Sequence, residues 1–420
     1  MGQTIAQKVF SRKAGHEVQV GEIVNVVPDA AMSHDNTAAI AGRFRQLGVE
    51  KVKYPDIHVI VLDHAVPAPN VDHALNHKEI REFVSRQGIK NFYDAGEGIC
   101  HQVMVEKGHV EPGMLVVGSD SHSTSYGALG ALGVAITRSE MAVIMAIGKM
   151  WFRVPQSMKI ILKGKLKQGV TAKDLVLHIL GDVRADGATY MSVEFHGEGV
   201  KGLDIADRFT ISNMSAEMGA KAGVFPADEI TWNYVKATGA GHFDAGPDSD
   251  AEYAVTKEYD LGSVEPMVAK PHTVDNVALI SEVKGTRVDQ AVLGTCTNGR
   301  LKDIEAAWRV LKGKKVHPRV RLIIIPASRQ VLMEALARGY IQDLVKAGAM
   351  VLNPGCGPCL GAHQGILAPG ERAISTSNRN FKGRMGSTDA EIYLASPLSV
   401  AAAAVAGEIV DPRDFTGEDA

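Results

Sequence analysis

The stretch Asn353-Pro354-Gly355-Cys356-Gly357-Pro358-Cys359 places two thiols one short turn apart, directly after an apolar run typical of a β-strand. A third thiol, Cys296, follows another such run earlier in the chain. Glycine lets backbone segments approach closely and proline stiffens a turn, so this loop suits a tightly bound inorganic group. The sequence therefore predicts a metal or cluster site built at strand ends.

The number of thiols separates the candidate groups. Structural zinc commonly has four protein ligands, and iron–sulfur clusters are typically held by four thiolates. Three cysteines would leave one iron of a cluster with an open coordination site, where it can act as a Lewis acid. On spacing alone, a redox dithiol or half of a zinc site is the alternative. We expect the fourth cysteine, Cys100, to be buried and structural.

Composition limits the class of protein. The chain has 420 residues, with 45 basic and 48 acidic side chains and a net charge of −3. This balance disfavours nucleic acid as the main partner, and four cysteines do not form a secreted disulfide framework. No apolar run reaches membrane-spanning length, and the first residues do not resemble a signal peptide. We expect a cytoplasmic enzyme with neither a nucleic-acid nor a membrane partner.

The apolar pattern predicts an α/β protein with three domains and mainly parallel sheets, over residues 1–155, 156–262 and 263–420. Strands are expected at residues 57–62, 114–117, 160–162, 191–197, 290–294 and 321–325. Helices are expected at residues 76–87 with Asn76 as cap, 138–151, 172–180, 301–311 and 329–346. The polar, glycine-rich span 237–250 is interpreted as a connection between domains.

Residues able to do chemistry follow several of the predicted strands. Asp63-His64, Asp120-Ser121-His122, Cys296 and Cys356 all come directly after apolar runs. Ligands of parallel sheets bind beyond the carboxyl ends of the strands, so we expect these residues to meet at one site.

Six ordered motifs carry a resemblance to one family, the aconitase superfamily of iron–sulfur dehydratases, from about residue 4 to about residue 410. They are Gly98-Ile99-Cys100-His101-Gln102, Gly118-Ser119-Asp120-Ser121-His122, Val193-Glu194-Phe195-His196-Gly197, Gly294-Thr295-Cys296-Thr297-Asn298, Cys356-Gly357-Pro358-Cys359 and Asn378-Arg379-Asn380-Phe381-Lys382-Gly383-Arg384.

The resemblance implies three packed α/β domains around a cluster site, with the swivelling fourth domain of full-length aconitases absent. The chain is most similar in layout to a branch with separate large subunits, which includes 3-isopropylmalate dehydratase, homoaconitase and 2,3-dimethylmalate dehydratase. A small partner subunit is then expected to supply the swivelling domain and a catalytic serine, in a heterodimer or heterotetramer.

The resemblance also implies roles for individual residues. Cys296, Cys356 and Cys359 match the ligands of a 4Fe–4S cluster in which one iron has no cysteine ligand. Asp63-His64 matches an acid pair that protonates the departing hydroxyl group. Two further carboxylate–histidine pairs are expected near substrate and water, namely His101 with Asp120 and His122 with Glu194.

Five residues are expected to bind substrate: His34, Ser121, Asn378, Arg379 and Arg384. A guanidinium forks onto a carboxylate, which suits a hydroxy di- or tricarboxylate, although a surface salt bridge is the alternative for Arg384. Ser121 is expected to be a hydrogen-bonding neighbour. His34 stands where mitochondrial-type aconitases have glutamine, which disfavours citrate. No role is assigned to His73, His77 or His109.

These implications predict the large subunit of a hydro-lyase that dehydrates and rehydrates a hydroxy dicarboxylate, with 3-isopropylmalate as first choice. Large subunits acting on homoaconitate or dimethylmalate are the alternatives within the family. Two alternatives from other classes are RNA binding by a cluster-free form and a structural or electron-transfer cluster. Neither accounts for an open coordination site.

Overall fold

The computed structural model of the chain describes residues 2–238 and 246–415, which form four β-sheets flanked by helices. The strands are β1 (Ile23–Val26), β2 (Ala30–Ser33), β3 (His58–Val61), β4 (Asn91–Tyr93), β5 (Leu115–Gly118), β6 (Leu132–Ala135), β7 (Met150–Arg153), β8 (Ser157–Lys163), β9 (Ser192–His196), β10 (Ala222–Val224), β11 (Val255–Asp260), β12 (Met267–Ala269), β13 (Val277–Leu279), β14 (Gln290–Gly294), β15 (Arg321–Ile325), β16 (Met350–Val351), β17 (Arg372–Ser375) and β18 (Glu391–Ala395).

The helices pack on the faces of these sheets, as parallel strands require. They are α1 (Ile5–Ala14), α2 (Thr37–Gln46), α3 (Val71–Gln87), α4 (Cys100–Glu106), α5 (Arg138–Ile147), α6 (Ala172–Val183), α7 (Ile205–Met214), α8 (Glu229–Thr238), α9 (Ile280–Val283), α10 (Leu301–Leu311), α11 (Arg329–Ala337), α12 (Tyr340–Ala347) and α13 (Pro397–Ala406).

Two of the larger sheets are parallel throughout, and the third is mostly parallel. The five-stranded sheet has the order β4-β3-β2-β5-β6, and the four-stranded sheet has the order β10-β9-β8-β11. The seven-stranded sheet has the order β13-β12-β18-β17-β14-β15-β16, with antiparallel pairing only around β12. An antiparallel pair, β1 with β7, is the fourth sheet. The predicted α/β class with mainly parallel sheets is confirmed.

The hydrophobic cores do not follow the three predicted domains. The strands of each sheet lie within one of the ranges 1–155, 156–262 and 263–420. However, Ala222 and Val224 of β10 are buried in the same core as the five-stranded sheet. Another core joins Phe195 of β9 to Ile323 of β15. The division into three domains therefore stays a prediction.

Several elements confirm the sequence pattern. The strands at residues 290–294 and 321–325 and the helix at residues 301–311 have the expected bounds. The Thr171 side chain accepts a hydrogen bond at the start of α6, and Asp174 completes the capping box, as expected from their spacing. The connection at residues 237–250 lies largely outside the described residues.

Three helix predictions were wrong at their ends, for identifiable reasons. The helix with Asn76 as predicted cap begins a turn earlier at Val71, because the Asn70 side chain caps it. The helix predicted at 138–151 ends at Ile147, where Gly148 adopts φ 76° and the chain enters β7. The helix predicted at 329–346 is two helices, α11 and α12, separated at Gly339, which has φ 78°. Left-handed glycines end helices because they lack a Cβ.

Candidate active site

Three buried free thiols occupy loops that follow strands of the seven-stranded sheet. Cys296 follows β14, and Cys356 and Cys359 follow β16. Their exposed fractions are 9%, 9% and 6%. Thr295, directly before Cys296, has φ 67°, a conformation that β-branched residues rarely adopt, so the turn after β14 is held there against local strain. The fourth cysteine, Cys100, is fully buried in α4, as expected.

Amide groups surround the Cys296 sulfur. The side-chain nitrogens of Asn213 and Asn378 both donate to Cys296 Sγ, each at 3.2 Å. Arg384 Nη2 lies 3.9 Å from Cys359 Sγ. N–H donors and a guanidinium around sulfur atoms stabilise thiolates, which is the form that binds metal. The donor set therefore fits an iron–sulfur group held by Cys296, Cys356 and Cys359.

The thiols also influence one another. Burial and, to a smaller extent, the neighbouring Cys359 raise the pKa of Cys296 to about 12. Burial likewise raises the pKa of Cys356 above its usual range. Cys296 and Cys356, whose pKa values are raised, are expected to give up their protons to a bound cation, since metal binding releases thiol protons.

A carboxylate–histidine chain lies beside these thiols, at the ends of β3 and β5. His64 Nδ1 is 2.6 Å from Asp63 Oδ1, and His64 Nε2 is 3.5 Å from Asp120 Oδ2. Cys356 Sγ lies 3.9 Å from Asp63 Oδ2. Burial opposes a charge on His64, but Asp63, Cys356 and Asp120 raise its pKa well above the ordinary value. The two neighbouring carboxylates therefore favour the protonated form of His64.

His34 contacts the same group through its ring. The imidazoles of His34 and His64 stack at 3.7 Å between centroids and 16° between planes. Burial and, to a smaller extent, the charge of His64 lower the pKa of His34 to about 4. The surroundings thus favour the neutral form of His34 and the charged form of His64.

Asp120 is shared by the next pair, His101 and Asp120, as expected. His101 Nε2 is 2.8 Å from Asp120 Oδ1, and His101 Nδ1 is 3.1 Å from the Tyr126 hydroxyl. Burial raises the pKa of Asp120, but hydrogen bonds from His101, His122 and His64 outweigh it and hold that pKa well below the usual range. The negative charge of Asp120 thereby stabilises positive charge on His64.

The predicted pairing of His122 with Glu194 was wrong. His122 Nε2 is 2.8 Å from Glu217 Oε1, and Arg379 Nε donates to the same oxygen at 2.8 Å. Burial raises the pKa of Glu217, but His122 and Arg379 lower it below the usual value. The carboxylate of this pair is therefore Glu217, in the short turn that follows α7.

Glu194 belongs to a different buried group. It lies in the middle of β9, where its two oxygens accept hydrogen bonds from the Ile5 backbone and the Tyr253 hydroxyl, each at 2.8 Å. His196 Nε2 lies 3.2 Å from Glu194 Oε2. The group holds the start of α1 against the four-stranded sheet. From the middle of β9, the Glu194 side chain lies away from the site at the strand ends.

Two of the expected substrate-binding residues, Asn378 and Arg384, contact the thiols. Asn378 also donates to Asn213 Oδ1 at 3.1 Å, and Arg379 Nη1 is 3.4 Å from Ser121 Oγ. Arg384 is partly buried, and among the described residues its Nε has no hydrogen-bond partner. A buried donor without a partner beside the Cys359 sulfur favours substrate binding over the alternative of a surface salt bridge.

Four site residues were missed by the sequence reasoning. Asp35 accepts hydrogen bonds from the backbone N–H groups of Asp63, His64 and Ala65, and it contacts His77 at 2.7 Å. Asp35 and His77 therefore position the loop that carries His64.

Asn213 and Glu217 are the other two missed residues. Their signal was the polar run Ser212-Asn213-Met214-Ser215-Ala216-Glu217 within an otherwise apolar helix pattern. All of the polar side chains in that run are buried.

A buried lysine joins α6 to the substrate-binding loop. Lys173 has no exposed surface, and its Nζ donates to the carbonyl oxygens of Thr376 and Ser377 at 2.8 and 2.7 Å. These carbonyls directly precede Asn378 and Arg379. Burial lowers the pKa of Lys173 to about 7, although the neighbouring Cys296 raises it. Lys173 thus fixes the backbone that presents Asn378 to the Cys296 sulfur.

A family model described as "Aconitase family (aconitate hydratase)" matches residues 7–407. The chain belongs to the aconitase family. Among its relatives, the 3-isopropylmalate dehydratase large subunit 1 of Methanopyrus kandleri is 50% identical over 99% of this chain and the whole of that protein. The 3-isopropylmalate dehydratase large subunit 2 of Archaeoglobus fulgidus is also 50% identical, with the same coverage. The homoaconitase large subunit of Thermus thermophilus is 48% identical over all of this chain and 99% of that protein.

Aconitase-family proteins carry a 4Fe–4S cluster, and the family together with the names of these relatives indicates a hydro-lyase. The words "large subunit" in the three names imply a separate small subunit in those enzymes. In the part of the chain that the structure describes, every helix is too short or too polar to cross a lipid bilayer.

Proposed function

We propose that this chain is the large, cluster-bearing subunit of an iron–sulfur hydro-lyase that removes water from a hydroxy dicarboxylate and adds it back. The observation that carries the proposal is the convergence of three buried thiols, the acid His64 and the arginines Arg379 and Arg384 at one site. The strands β14 and β16 are followed by the thiols, and β3 is followed by His64. β5 is followed by Asp120, which contacts His64. A structural or electron-transfer cluster would need neither the acid nor the arginines.

Cys296, Cys356 and Cys359 would hold a 4Fe–4S cluster in which one iron lacks a cysteine ligand. Bound there, such a cluster supplies a Lewis acid for the substrate hydroxyl and an adjacent carboxylate. Asn213 and Asn378 support this arrangement because their N–H groups already face the Cys296 sulfur.

His64 would protonate the departing hydroxyl group. Its Nδ1 is held by Asp63, so the proton available for transfer is on Nε2, which faces Asp120 at 3.5 Å. The raised pKa keeps that proton in place until the C–O bond breaks. In the reverse direction, the resulting neutral imidazole accepts a proton from the water that adds to the alkene.

The two arginines would bind and orient the substrate carboxylates. Arg384 has an Nε without a hydrogen-bond partner in the described part of the chain, whereas Arg379 is oriented by its hydrogen bond to Glu217. A planar guanidinium that is already oriented loses little freedom on binding a carboxylate. Ser121, at 3.4 Å from Arg379 Nη1, would add a hydroxyl to the same subsite.

His101 with Asp120 and His122 with Glu217 would position substrate and water. In each pair the carboxylate fixes one ring nitrogen, so the other nitrogen keeps a defined tautomer and orientation. Because Asp120 also faces His64, the pairs and the acid share one hydrogen-bonded network.

A small subunit would supply the base that takes the α-proton, a serine on a swivelling domain, in a heterodimer or heterotetramer. The elimination then balances: the serine, starting as its alkoxide, takes the α-proton, the hydroxyl leaves with the His64 proton as water, and an alkene diacid remains. The names of the relatives favour 3-isopropylmalate as substrate, with homoaconitate and dimethylmalate as the alternatives. The cytoplasmic location stays a prediction.

The test is anaerobic co-expression with a small subunit, followed by alkene formation from 3-isopropylmalate, homocitrate and 2,3-dimethylmalate. Turnover of 3-isopropylmalate alone supports the first choice, and turnover of another member of the panel moves the assignment within the family. A complex that carries a full cluster and turns over none of them contradicts the proposal.

A further inference from the structure

A buried arginine, Arg300, contacts the main chain of the loop that carries Cys296. Its exposed fraction is 7%, and it is the residue directly before α10. Its Nη1 donates to the carbonyl oxygen of Thr297 and its Nη2 to that of Cys296, each at 2.7 Å. One planar guanidinium therefore holds two consecutive carbonyl oxygens of the loop, and one of them belongs to a proposed cluster ligand.

Two neighbours act on the Arg300 side chain. The guanidinium carbon lies 4.2 Å from the centroid of the Phe209 ring, which attracts a cation through its face. Asp303 accepts the backbone N–H of Arg300 at 2.9 Å. Burial lowers the pKa of Arg300, and the negative charges of Asp303 and of an ionised Cys296 oppose this. Since a guanidinium keeps its proton in proteins, a positive charge is fixed beside the Cys296 main chain.

The hydrogen bonds of this loop continue to the Cys296 sulfur. The Thr297 carbonyl oxygen also accepts from Thr210 Oγ1 at 3.0 Å, and Thr297 Oγ1 donates to Asn213 Oδ1 at 3.2 Å. Asn213 in turn donates to Cys296 Sγ through its side-chain nitrogen. Thr297 is thus held at its carbonyl by Arg300, and its hydroxyl orients the amide that faces the sulfur. A displacement of Thr297 would change the surroundings of Cys296 Sγ.

The conformation of the loop requires such support. Thr295, one residue before Cys296, has φ 67°, which β-branched residues rarely adopt. A residue in a sparsely populated region of φ and ψ keeps that conformation only where its surroundings hold it. The two hydrogen bonds from Arg300 hold the chain directly after this residue, so they are suited to maintain the turn.

A second buried arginine, Arg208, provides a comparison. It has no exposed surface, its Nε and Nη2 donate to the carbonyl oxygens of Leu203 and Val200, and it forms an ion pair with Asp228. These are the same kinds of contact that Arg300 makes. None of these partners, however, is a proposed cluster ligand. The two arginines therefore separate the effect of burying a guanidinium from the effect of placing it beside a thiol.

We propose that Arg300 is a positioning residue for the cluster, which holds the Cys296 loop in shape and places a positive charge beside the bound cluster. The inference rests on the cluster assigned above to Cys296, Cys356 and Cys359. Thiolate ligands carry negative charge, and the charges and hydrogen bonds around a cluster set its reduction potential. A positive charge favours the form that carries the additional electron, so its loss lowers the midpoint potential.

The test is a redox titration monitored by EPR, carried out on the large–small subunit complex after anaerobic reconstitution. The rate of iron loss to a chelator is measured beside it. Arg300→Gln is expected to lower the midpoint potential by the equivalent of about a tenfold change in the ratio of oxidised to reduced cluster, which is about 59 mV for one electron. Iron loss is expected to be about tenfold to a hundredfold faster. An unchanged potential in Arg300→Gln would overturn the proposal.

Arg300→Lys separates the charge from the hydrogen bonds. Lysine keeps the positive charge but lacks the planar fork that holds both carbonyl oxygens. We expect this variant to restore the midpoint potential and only part of the iron retention. A potential as low as that of Arg300→Gln would contradict the role given to the charge.

Two further variants are the controls. Arg208→Gln is expected to lower the free energy of unfolding while it leaves the potential unchanged and iron loss within twofold. Asp303→Asn removes the negative charge near Arg300 and keeps one acceptor oxygen, so the midpoint potential is expected to rise. This variant decides the matter if Arg300→Gln fails to fold or to load a cluster. An equal fall in Arg208→Gln, or an unchanged or lower potential in Asp303→Asn, would contradict the proposal.

Potential and turnover are measured on the same complexes, so the two proposals can fail separately. A complex that turns over no hydroxy diacid, but whose potential falls in Arg300→Gln, would remove the proposed reaction and leave the role of Arg300 standing. Normal turnover with an unchanged potential in that variant would have the opposite result.

Discussion

Two buried glutamates of this chain have similar surroundings and different places in the molecule. Glu194 and Glu217 have exposed fractions of 0% and 5%, and each contacts a histidine, His196 and His122 respectively. Glu217 also receives a hydrogen bond from Arg379, near the three thiols, whereas Glu194 receives hydrogen bonds from the start of α1 and from Tyr253. A buried carboxylate–histidine contact therefore does not by itself indicate an active site.

Position on the strand separates the two groups. Glu194 lies inside β9, whereas Asp63, Asp120 and the thiols follow strands, and Glu217 lies in a turn that packs against them. Side chains at strand centres face a helix or another sheet, and those at the carboxyl ends of parallel strands face the cleft. The comparison predicts that the Glu217 group serves chemistry and the Glu194 group serves stability.

The largest expected effect concerns the three thiols proposed as cluster ligands in the Glu217 group. Cys359→Ser is expected to abolish a substrate-responsive cluster and all hydro-lyase activity, because a hydroxyl is a poor ligand for iron compared with a thiolate. The measurement is iron and sulfide content together with the visible absorption spectrum after anaerobic reconstitution.

Cys100→Ser is the matched control for that prediction. Cys100 is as buried as the ligands but lies in α4, so its variant is expected to load a normal cluster and to keep activity. Full activity in Cys359→Ser, or loss of the cluster in Cys100→Ser with the fold intact, would show that the ligands are assigned wrongly.

Glu217→Gln tests the prediction that the Glu217 group serves catalysis. Removing the carboxylate that orients His122 and Arg379 is expected to lower kcat/KM about tenfold to a hundredfold, the usual range for such partners at metal sites. The expected change in the urea midpoint of unfolding is small, since glutamine keeps one acceptor oxygen. The assay uses the complex with its small subunit and activity per loaded cluster. A variant with unchanged kinetics would remove Glu217 from the site.

Glu194→Gln tests the prediction that the Glu194 group serves stability. The substitution weakens hydrogen bonds to the Ile5 backbone, Tyr253 and His196, and we expect it to lower the free energy of unfolding by about 2 kcal/mol. Activity per loaded cluster should stay within twofold of the natural chain. The measurement is urea unfolding beside the same kinetic assay, and a large loss of kcat with unchanged stability would reverse the comparison.

The smallest effect concerns a buried histidine without any carboxylate. His58 begins β3 with no exposed surface, and within the described residues neither of its ring nitrogens has a hydrogen-bond partner. Burial lowers its pKa from 6.5 to about 4. Below pH 6.5, His58 therefore binds a proton in the unfolded chain but stays neutral in the folded chain. The free energy of unfolding falls for this reason as the pH falls from about 6.5 towards 4. At pH 5.5 the cost is about 1 kcal/mol.

His58→Leu is expected to remove this part of the acid sensitivity. The free energy of unfolding is measured at pH 7.5 and pH 5.5 in the natural chain, in His58→Leu and in the control His73→Leu, whose histidine is partly exposed on α3. The difference between the two pH values should shrink by about 1 kcal/mol in the first variant only. An unchanged difference in His58→Leu would mean that His58 is not held neutral.

The thiols and most strand-end residues were predictable because local sequence determines them. Apolar runs that end in Cys296, Asp63-His64 or Asp120 carry both the strand and the functional group within a few residues. The end of α5 at Ile147 and the break between α11 and α12 depended on Gly148 and Gly339, whose left-handed conformation a pattern of apolar residues does not reveal. The partner of His122 was not predictable from its motif, because Glu194 and Glu217 are both distant in sequence. Only the packing of α7 against Ser121–Leu129, the segment that carries His122, decides between them. Asp35 and His77 were not predicted for the same reason, because their contacts with the His64 loop and with each other are distant in sequence.

The most direct test of the central claim is Mössbauer spectroscopy of the large–small subunit complex reconstituted anaerobically with ⁵⁷Fe. Spectra would be recorded before and after addition of the hydroxy diacid that the complex turns over. The account predicts that one iron of the cluster changes its isomer shift and quadrupole splitting when substrate is added, while the irons held by Cys296, Cys356 and Cys359 keep theirs. A fully loaded cluster in which no iron changes its isomer shift or quadrupole splitting on addition of substrate would contradict the assignment of an open, substrate-binding iron to this site.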